Sequence, residues 1–399
     1  MQKDMAMNKL NPVSNRSIGH NMLDKRIVIM QCLGIIMVIL GHSGDALPIL
    51  SSWFPYYSFH MPLFIFISGY LYKKEQEDFL LEYIWKKFKH LIVPFYCWLV
   101  IYGLITNILI SSNLISYGEK ITLHNFWIYP WTYGCKYSFT AAWWFVPTLF
   151  LCQIVNIIFR KLTKASKNML REYILLGVFL AMGIFMVEFS RKAGGMYGGK
   201  MNQFQMAVAK IGFLLPFFQI GNLFDLKFGD IIDKMKSYFI YPFIFCIQLV
   251  LLLLWGGVKR IAFSVVHLNF SINAVITYIV AMNGILFWFR VCNDILPCVK
   301  NSIIAMYISK NTWTIMIHHE FVIWGIQYVF LLLNRWSPIF SAIDQERLLG
   351  EYWYTYSVRG MIQFNIIYVI MGIIVPLGIH YVCEQIMLMF SDEIFVNKK

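Results

Sequence analysis

Charged side chains are scarce in this 399-residue chain: Asp, Glu, Lys and Arg make up only 14%, against about 25% in a soluble domain. No stretch is both polar enough and long enough to fold in water, which excludes the two or three soluble domains the length would otherwise suggest. Paired cysteines are missing as well. Cys32, Cys97, Cys135, Cys152, Cys246, Cys292, Cys298 and Cys383 stand singly, with no CxxC, so neither a disulfide framework nor a cysteine zinc site is expected. The first twenty residues, MQKDMAMNKLNPVSNRSIGH, lack a continuous apolar core and a small-residue cleavage site. They do not read as a signal peptide, and the first apolar run is expected to stay as an anchor. A basic domain is lacking too. The formal charge of +13 is spread over many short loops, so membrane topology accounts for it and no nucleic-acid partner is expected. No internal repeat, low-complexity tract or long linker is evident.

What is present is apolar surface, 59% of the residues. About twenty apolar residues are needed to cross a hydrocarbon core of ~30 Å. On that measure about ten spans are expected, at 27–47, 53–72, 91–112, 141–159, 172–190, 205–224, 237–257, 268–289, 312–334 and 361–389. The stretch 291–311 reads as a connection with room for a short extra segment. With the N-terminus inside, about two thirds of the 34 Lys and Arg residues fall in inner segments, which places both termini in the cytoplasm. The fold class is therefore an all-α polytopic membrane protein in the lipid bilayer. It divides into a cytoplasmic tail at 1–24, one transmembrane domain at 25–390 and a cytoplasmic tail at 391–399.

The chemistry concentrates in residues 31–70. Gln31 and His42 are eleven residues apart, almost three helical turns, so both project from one stripe of the first helix, roughly 16 Å apart. Gly34 near that stripe leaves room for close backbone approach. His60 lies roughly 10 Å below the outer surface in the second run, at a depth comparable to that of His42. Pro62 is expected to kink that helix and free a carbonyl beside His60. Ser68 and Tyr70 follow on the same run. An ionisable group inside a membrane is costly and usually faces a cavity. A neutral imidazole can accept a proton from a hydroxyl, which makes His42 a candidate general base. The bland alternatives are an interfacial histidine ending a helix and, for His60, a packing histidine.

Further candidates lie outside this stretch. His318, His319 and Glu320 are successive residues 100° apart on the ninth span, so they cannot all face one partner. HHE also lacks the i, i+4 ligand geometry of helical zinc sites, and no metal is expected. Lys86, Lys87 and His90 cluster on the cytoplasmic side in YKKEQEDFLLEYIWKKFKHLIVPF (72–95), fit to hold the phosphates of a soluble cofactor or simply anionic lipid headgroups. Trp144, in WWFVP at 143–147, offers an indole face for a sugar or an interfacial belt. The aromatic outer loop 113–140 invites the same two readings.

Taken together, LGIIMVILGHS (33–43), FHMPLFIFISGYLY (59–72), WKKFKHLIVPF (85–95), AWWFVPTLF (142–150) and ISKNTWTIMIHHEF (308–321) resemble the acyltransferase-3 family of integral-membrane O-acyltransferases, in order and spacing over nearly the whole chain. The resemblance implies about ten helices in the cell inner (plasma) membrane. It also implies cytoplasmic acetyl-CoA as donor and a polysaccharide or lipid-linked glycan as acceptor. The family pattern on the first helix is Arg or Lys, ten residues, then an essential His. That His matches His42, while Gln31 occupies the basic position and keeps hydrogen bonding without the charge. The family often has Arg where His90 stands.

On this resemblance the donor's nucleotide end rests on Lys86, Lys87 and His90, and its pantetheine arm runs along the Gln31 stripe toward His42. His42 either deprotonates a sugar hydroxyl or carries the acetyl group itself. His60, Ser68, Tyr70, Trp144, His319 and Glu320 are the candidates for orienting the acceptor. The rival reading is a transporter or assembly protein for lipid-linked oligosaccharide, which would show paired broken helices in an inverted repeat.

Overall fold

A computed structural model describes residues 24–43, 48–356 and 362–396. The expected tail at 1–24, apart from Asp24, and the last three residues lie outside them. Helix dominates, and no strand occurs among the described residues; the nearest thing to one is a single antiparallel bridge between Ser264 and Asn269. Nine helices among the described residues are long and apolar enough to cross a membrane.

In chain order the principal helices are α1 (Lys25–His42), α2 (His60–Tyr70), α3 (Leu80–Ser111), α4 (Phe145–Thr163), α5 (Met169–Ala193), α6 (Gln203–Leu223), α7 (Ser237–Leu254), α8 (Ala274–Val299), α9 (Ile303–Lys310), α10 (Thr312–Leu333) and α11 (Asn365–Val396). The short α9 fills the connection 291–311. The last helix runs past residue 390, because its backbone hydrogen bonds need no lipid to persist in water.

Three expectations change. The second span is a helix of only 11 residues, well under the about twenty that ~30 Å of hydrocarbon calls for. Its length is set by protein rather than lipid, since nine of its residues, from His60 to Tyr70, are buried. It lies against α6, where a Cβ at Gly69 would collide with the Phe218 carbonyl and one at Gly221 with the Phe66 carbonyl. Only glycine permits that backbone contact. Pro62 does not kink this helix. It sits in the first turn, where its missing N–H has no intrahelical partner to lose.

The third span also differs, starting at Leu80, so the basic segment is itself helical. A π-turn over Phe88–Ile92 interrupts it just before Pro94, where proline withdraws one donor from the ladder.

The helix ends that the charge pattern puts inside are tied by buried charge. The Arg160 guanidinium, 1% exposed, pairs with Glu77 at 2.8 Å and Glu172 at 2.6 Å, and donates to Gln219 at 3.1 Å. Near the start of α1, Arg26 pairs with Asp24 at 2.9 Å and Asp233 at 2.5 Å. Burial pushes the Asp24 carboxyl up, but hydrogen bonds from Arg26 and Tyr70 outweigh it and hold the group below its ordinary value. These clusters lock one end of the bundle and leave a cavity at the other.

Candidate active site

The opposite end encloses a cavity of about 480 Å³. His42, the last residue of α1, contributes to its wall with Val38, Tyr57, His60 and Met61. Met316 of α10 adds to it, and the rest comes from four connections, around residues 118–144, 196–197, 263–267 and 352–353. The charge pattern assigns all four to the outer side.

Inside, the His42 and His319 rings lie 5.2 Å apart, centroid to centroid. The Tyr57 ring stands between His42, at 6.4 Å, and His60, at 5.3 Å, and its hydroxyl donates to the Gly41 carbonyl at 3.0 Å. The His60 Nδ1 faces the Tyr56 carbonyl at 2.5 Å, and the His319 Nδ1 faces those of Met316 and Ile315 at 2.8 and 3.1 Å. A carbonyl can only accept, so in both rings Nδ1 carries the proton and Nε2 keeps its lone pair. The His319 Nε2 is buried with no hydrogen-bond partner.

The three consecutive polar residues of α10 diverge as 100° spacing requires. His319 turns to His42. His318 hydrogen-bonds the Tyr102 hydroxyl at 2.9 Å and packs edge-on against Trp98. Glu320 accepts from the backbone N–H groups of Ala141 at 3.0 Å and Ala142 at 2.7 Å, bracing the turn that carries Trp143 and Trp144. Ligand atoms of His42, His319 and Glu320 lie within 4.8 Å of one another. Two of the three come from α10, and α1 supplies the third, a grouping that spacing along one helix does not reveal.

The model of the acyltransferase-3 family, described as an acyltransferase domain, matches residues 24–383. The chain belongs to that family. No curated protein and no solved structure matches it. As a family member the chain is a multi-pass membrane acyltransferase, and its cavity is the candidate active site.

Of the residues singled out in this acyltransferase, the structure brings His42, His60, Trp144, His319 and Glu320 to the outer site. Trp144 is a buried wall of the cavity rather than an exposed platform. Ser68 and Tyr70 lie elsewhere. Ser68 bonds back to the Phe64 carbonyl at 2.9 Å, and the Tyr70 hydroxyl meets Asp24 at 2.8 Å at the inner end. One turn of α2 after another carries them away from His60, so sharing its run does not put them in its cavity. Gln31 also sits away from the cavity, accepting from the Ser309 hydroxyl at 2.6 Å.

Along α1 the cavity wall reaches Val38, and Gly34 is packed against the Phe64 ring tip. Lys86 and His90 are exposed on the basic segment and Lys87 is half-buried over the Tyr83 ring. The His90 Nδ1 bonds the Lys86 carbonyl at 2.7 Å.

Sequence reasoning missed Tyr57, Lys210 and His267. Lys210 is buried in α6, where it donates to the Thr132 and Tyr133 carbonyls at 2.8 and 3.2 Å and lies 5.6 Å from the Trp144 ring. It clamps the outer loop to the bundle. A charge in the middle of an apolar run is the signal that applied to the histidines, and it would have found Lys210 too. His267 lies in the wall outside the helices. Burial, then the nearby Lys210 and Lys136 charges, pull it down to about 4.

Proposed function

We propose that this acyltransferase moves an acetyl group from cytoplasmic acetyl-CoA to a hydroxyl of a cell-surface or lipid-linked polysaccharide in the inner (plasma) membrane, with His42 at the reacting centre. The observation that carries this reading is the position of His42: it ends α1 in the wall of the outer cavity, with His319 and His60 around it. A glycan hydroxyl entering the cavity meets imidazole nitrogens that can accept its hydrogen.

In the direct route the hydroxyl oxygen attacks the thioester carbonyl carbon while His42 takes the hydroxyl proton. Collapse of the tetrahedral adduct breaks the carbon–sulfur bond, and the proton passes from His42 to the departing thiolate. In the covalent route a His42 nitrogen attacks the thioester first, releases coenzyme A and hands the acetyl group to the hydroxyl. Either way His42 needs an available lone pair, which His319 steers by its position beside the ring. His60 and Trp144 line the acceptor side, and Glu320 holds the Trp144 turn in place.

The donor's nucleotide end would dock on Lys86, Lys87 and His90 at the inner face. Its arm would follow the Gln31 stripe, with Gly34 and Phe64 at the narrow point. We assign the His42, His319 and Glu320 group to proton handling rather than to a metal. Both Glu320 oxygens already accept backbone N–H bonds, and a metal-bound His42 could not serve as base.

The test is the O-acetyl content of the host's surface polysaccharides, by proton NMR, in a deletion strain complemented with wild type or His42→Ala. The expected result is an acetyl signal lost on deletion, restored by wild type and not by the variant. If acetylation never changes while polymer export or chain length does, the protein is a transport or assembly factor.

A further inference from the structure

Three rings stand at the mouth of the cavity, away from His42 and unused by the chemistry. Tyr197, 71% exposed, comes from the connection after α5, and Trp353, 55% exposed, from the turn before α11. His267 lies between them, its ring 5.2 Å from Tyr197 and 5.7 Å from Trp353.

Their backbone is fixed. Ser264 and Asn269 exchange two hydrogen bonds of 3.0 Å, with Leu268 in a left-handed conformation at φ 52° to close the turn. The Ser264 hydroxyl bonds the His267 ring at 2.8 Å, and the Met196 N–H donates to the His267 carbonyl at 2.8 Å. Gly195, at φ 62°, packs so closely that a Cβ would meet the His267 carbonyl oxygen at 2.8 Å. Two connections far apart in sequence are thus tied through their backbones, and the third meets them through the Trp353 ring.

Exposed aromatic faces around a cavity mouth suit a ligand with apolar C–H faces and hydroxyl edges, which describes a pyranose. The neutral His267 ring between them adds hydrogen bonding to those hydroxyls, and the cavity volume is in the range of small-ligand sites. An interfacial belt would spread Trp and Tyr around the bundle's lipid-facing perimeter, whereas these three line the cavity itself.

We propose that Tyr197, His267 and Trp353 form an acceptor subsite that stacks on a pyranose ring of the glycan next to the sugar acylated at His42, and so selects the glycan. This rests on the transferase reading above.

The experiment uses the full chain in lipid nanodiscs, with acetyl-CoA and the host's own surface polysaccharide stripped of esters by mild alkali. Transfer kinetics and equilibrium binding of the labelled polysaccharide are both measured for wild type, Tyr197→Ala, Tyr197→Phe and Trp353→Ala. The expected result is an acceptor KM and a binding constant weakened tenfold or more in both alanine variants. The KM for acetyl-CoA stays within twofold, and Tyr197→Phe recovers most of the loss. Acceptor KM and binding within twofold of wild type in both alanine variants would overturn the subsite and leave the transferase reading standing. If wild type binds the polysaccharide but transfers nothing, the transferase reading falls, and the binding of the variants alone decides the rim. Neither binding nor transfer by wild type overturns both.

Discussion

The imidazole rings of His42 and His319 lie 5.2 Å apart at the outer end of the bundle, one ending the first long helix and the other within the tenth. The His319 Nδ1 proton is committed to backbone carbonyls of its own helix. That ring therefore meets its surroundings on the other side through Nε2, which is buried with no hydrogen-bond partner.

His42→Ala is expected to lower acetyl transfer by 10²-fold or more, the scale of a lost general base or nucleophile. His319→Ala should cost less, about 10-fold, because it removes a neighbour rather than the reacting group. Thermal midpoints close to wild type in both variants would show that the losses are chemical. Equal losses in the two would assign them equal roles.

The double variant Lys86→Glu, Lys87→Glu should raise the KM for acetyl-CoA tenfold or more and leave acceptor KM unchanged, since the basic segment lies at the opposite end from the cavity. Wild-type KM for the donor should rise with salt, as expected for phosphate held by partly exposed lysines. A donor KM indifferent to both changes would return the segment to a topological role.

Arg160→Met leaves the buried Glu77 and Glu172 without their shared cation. Breaking one side of such a network costs about 3–5 kcal/mol. We expect a marked fall in the thermal midpoint in detergent, and partial recovery when Glu172→Gln is added. A midpoint unchanged by Arg160→Met would mean that water or lipid reaches the network.

His267 gives a pH signature. Its value in the folded chain, about 4, lies below the ordinary 6.5. The unfolded chain therefore takes up this proton first as pH falls. The stability it contributes is complete above pH 6.5 and is lost progressively between 6.5 and 4. Relative to His267→Gln, the wild-type melting midpoint should fall across that window and run parallel above it. Parallel curves throughout would show that the burial of His267 does not hold in solution.

For the His42, His319 and Glu320 group, purified protein analysed by inductively coupled plasma mass spectrometry should contain well under one transition-metal ion per chain. Transfer should be unaffected by a chelator. One tightly held zinc per chain, with activity lost on its removal, would replace the proton-handling assignment by metal catalysis.

The sequence by itself determined the class, an all-α polytopic membrane protein of the acyltransferase-3 family, and singled out His42 as a candidate. Long apolar runs fall in helices because lipid leaves backbone groups no other partner. The scarcity of charge made each intramembrane histidine conspicuous. His42 and Gln31 were legible because both lie on one helix, where spacing alone fixes geometry.

Only tertiary structure decided what meets across helices. Periodicity carries no information on which element faces which, so it could not bring His319 to His42, Glu320 to the Ala141 turn or Arg160 to its two glutamates. Nor could it show that Ser68 and Tyr70 point away from the site that His60 joins. The length of α2 was misjudged for a related reason: a helix enclosed by protein is measured against its neighbours, here through Gly69 and Gly221, and not against the bilayer. The rim of Tyr197, His267 and Trp353 is the extreme case. Its members come from three loops, where no repeat governs side-chain direction and only the folded contacts bring the rings together.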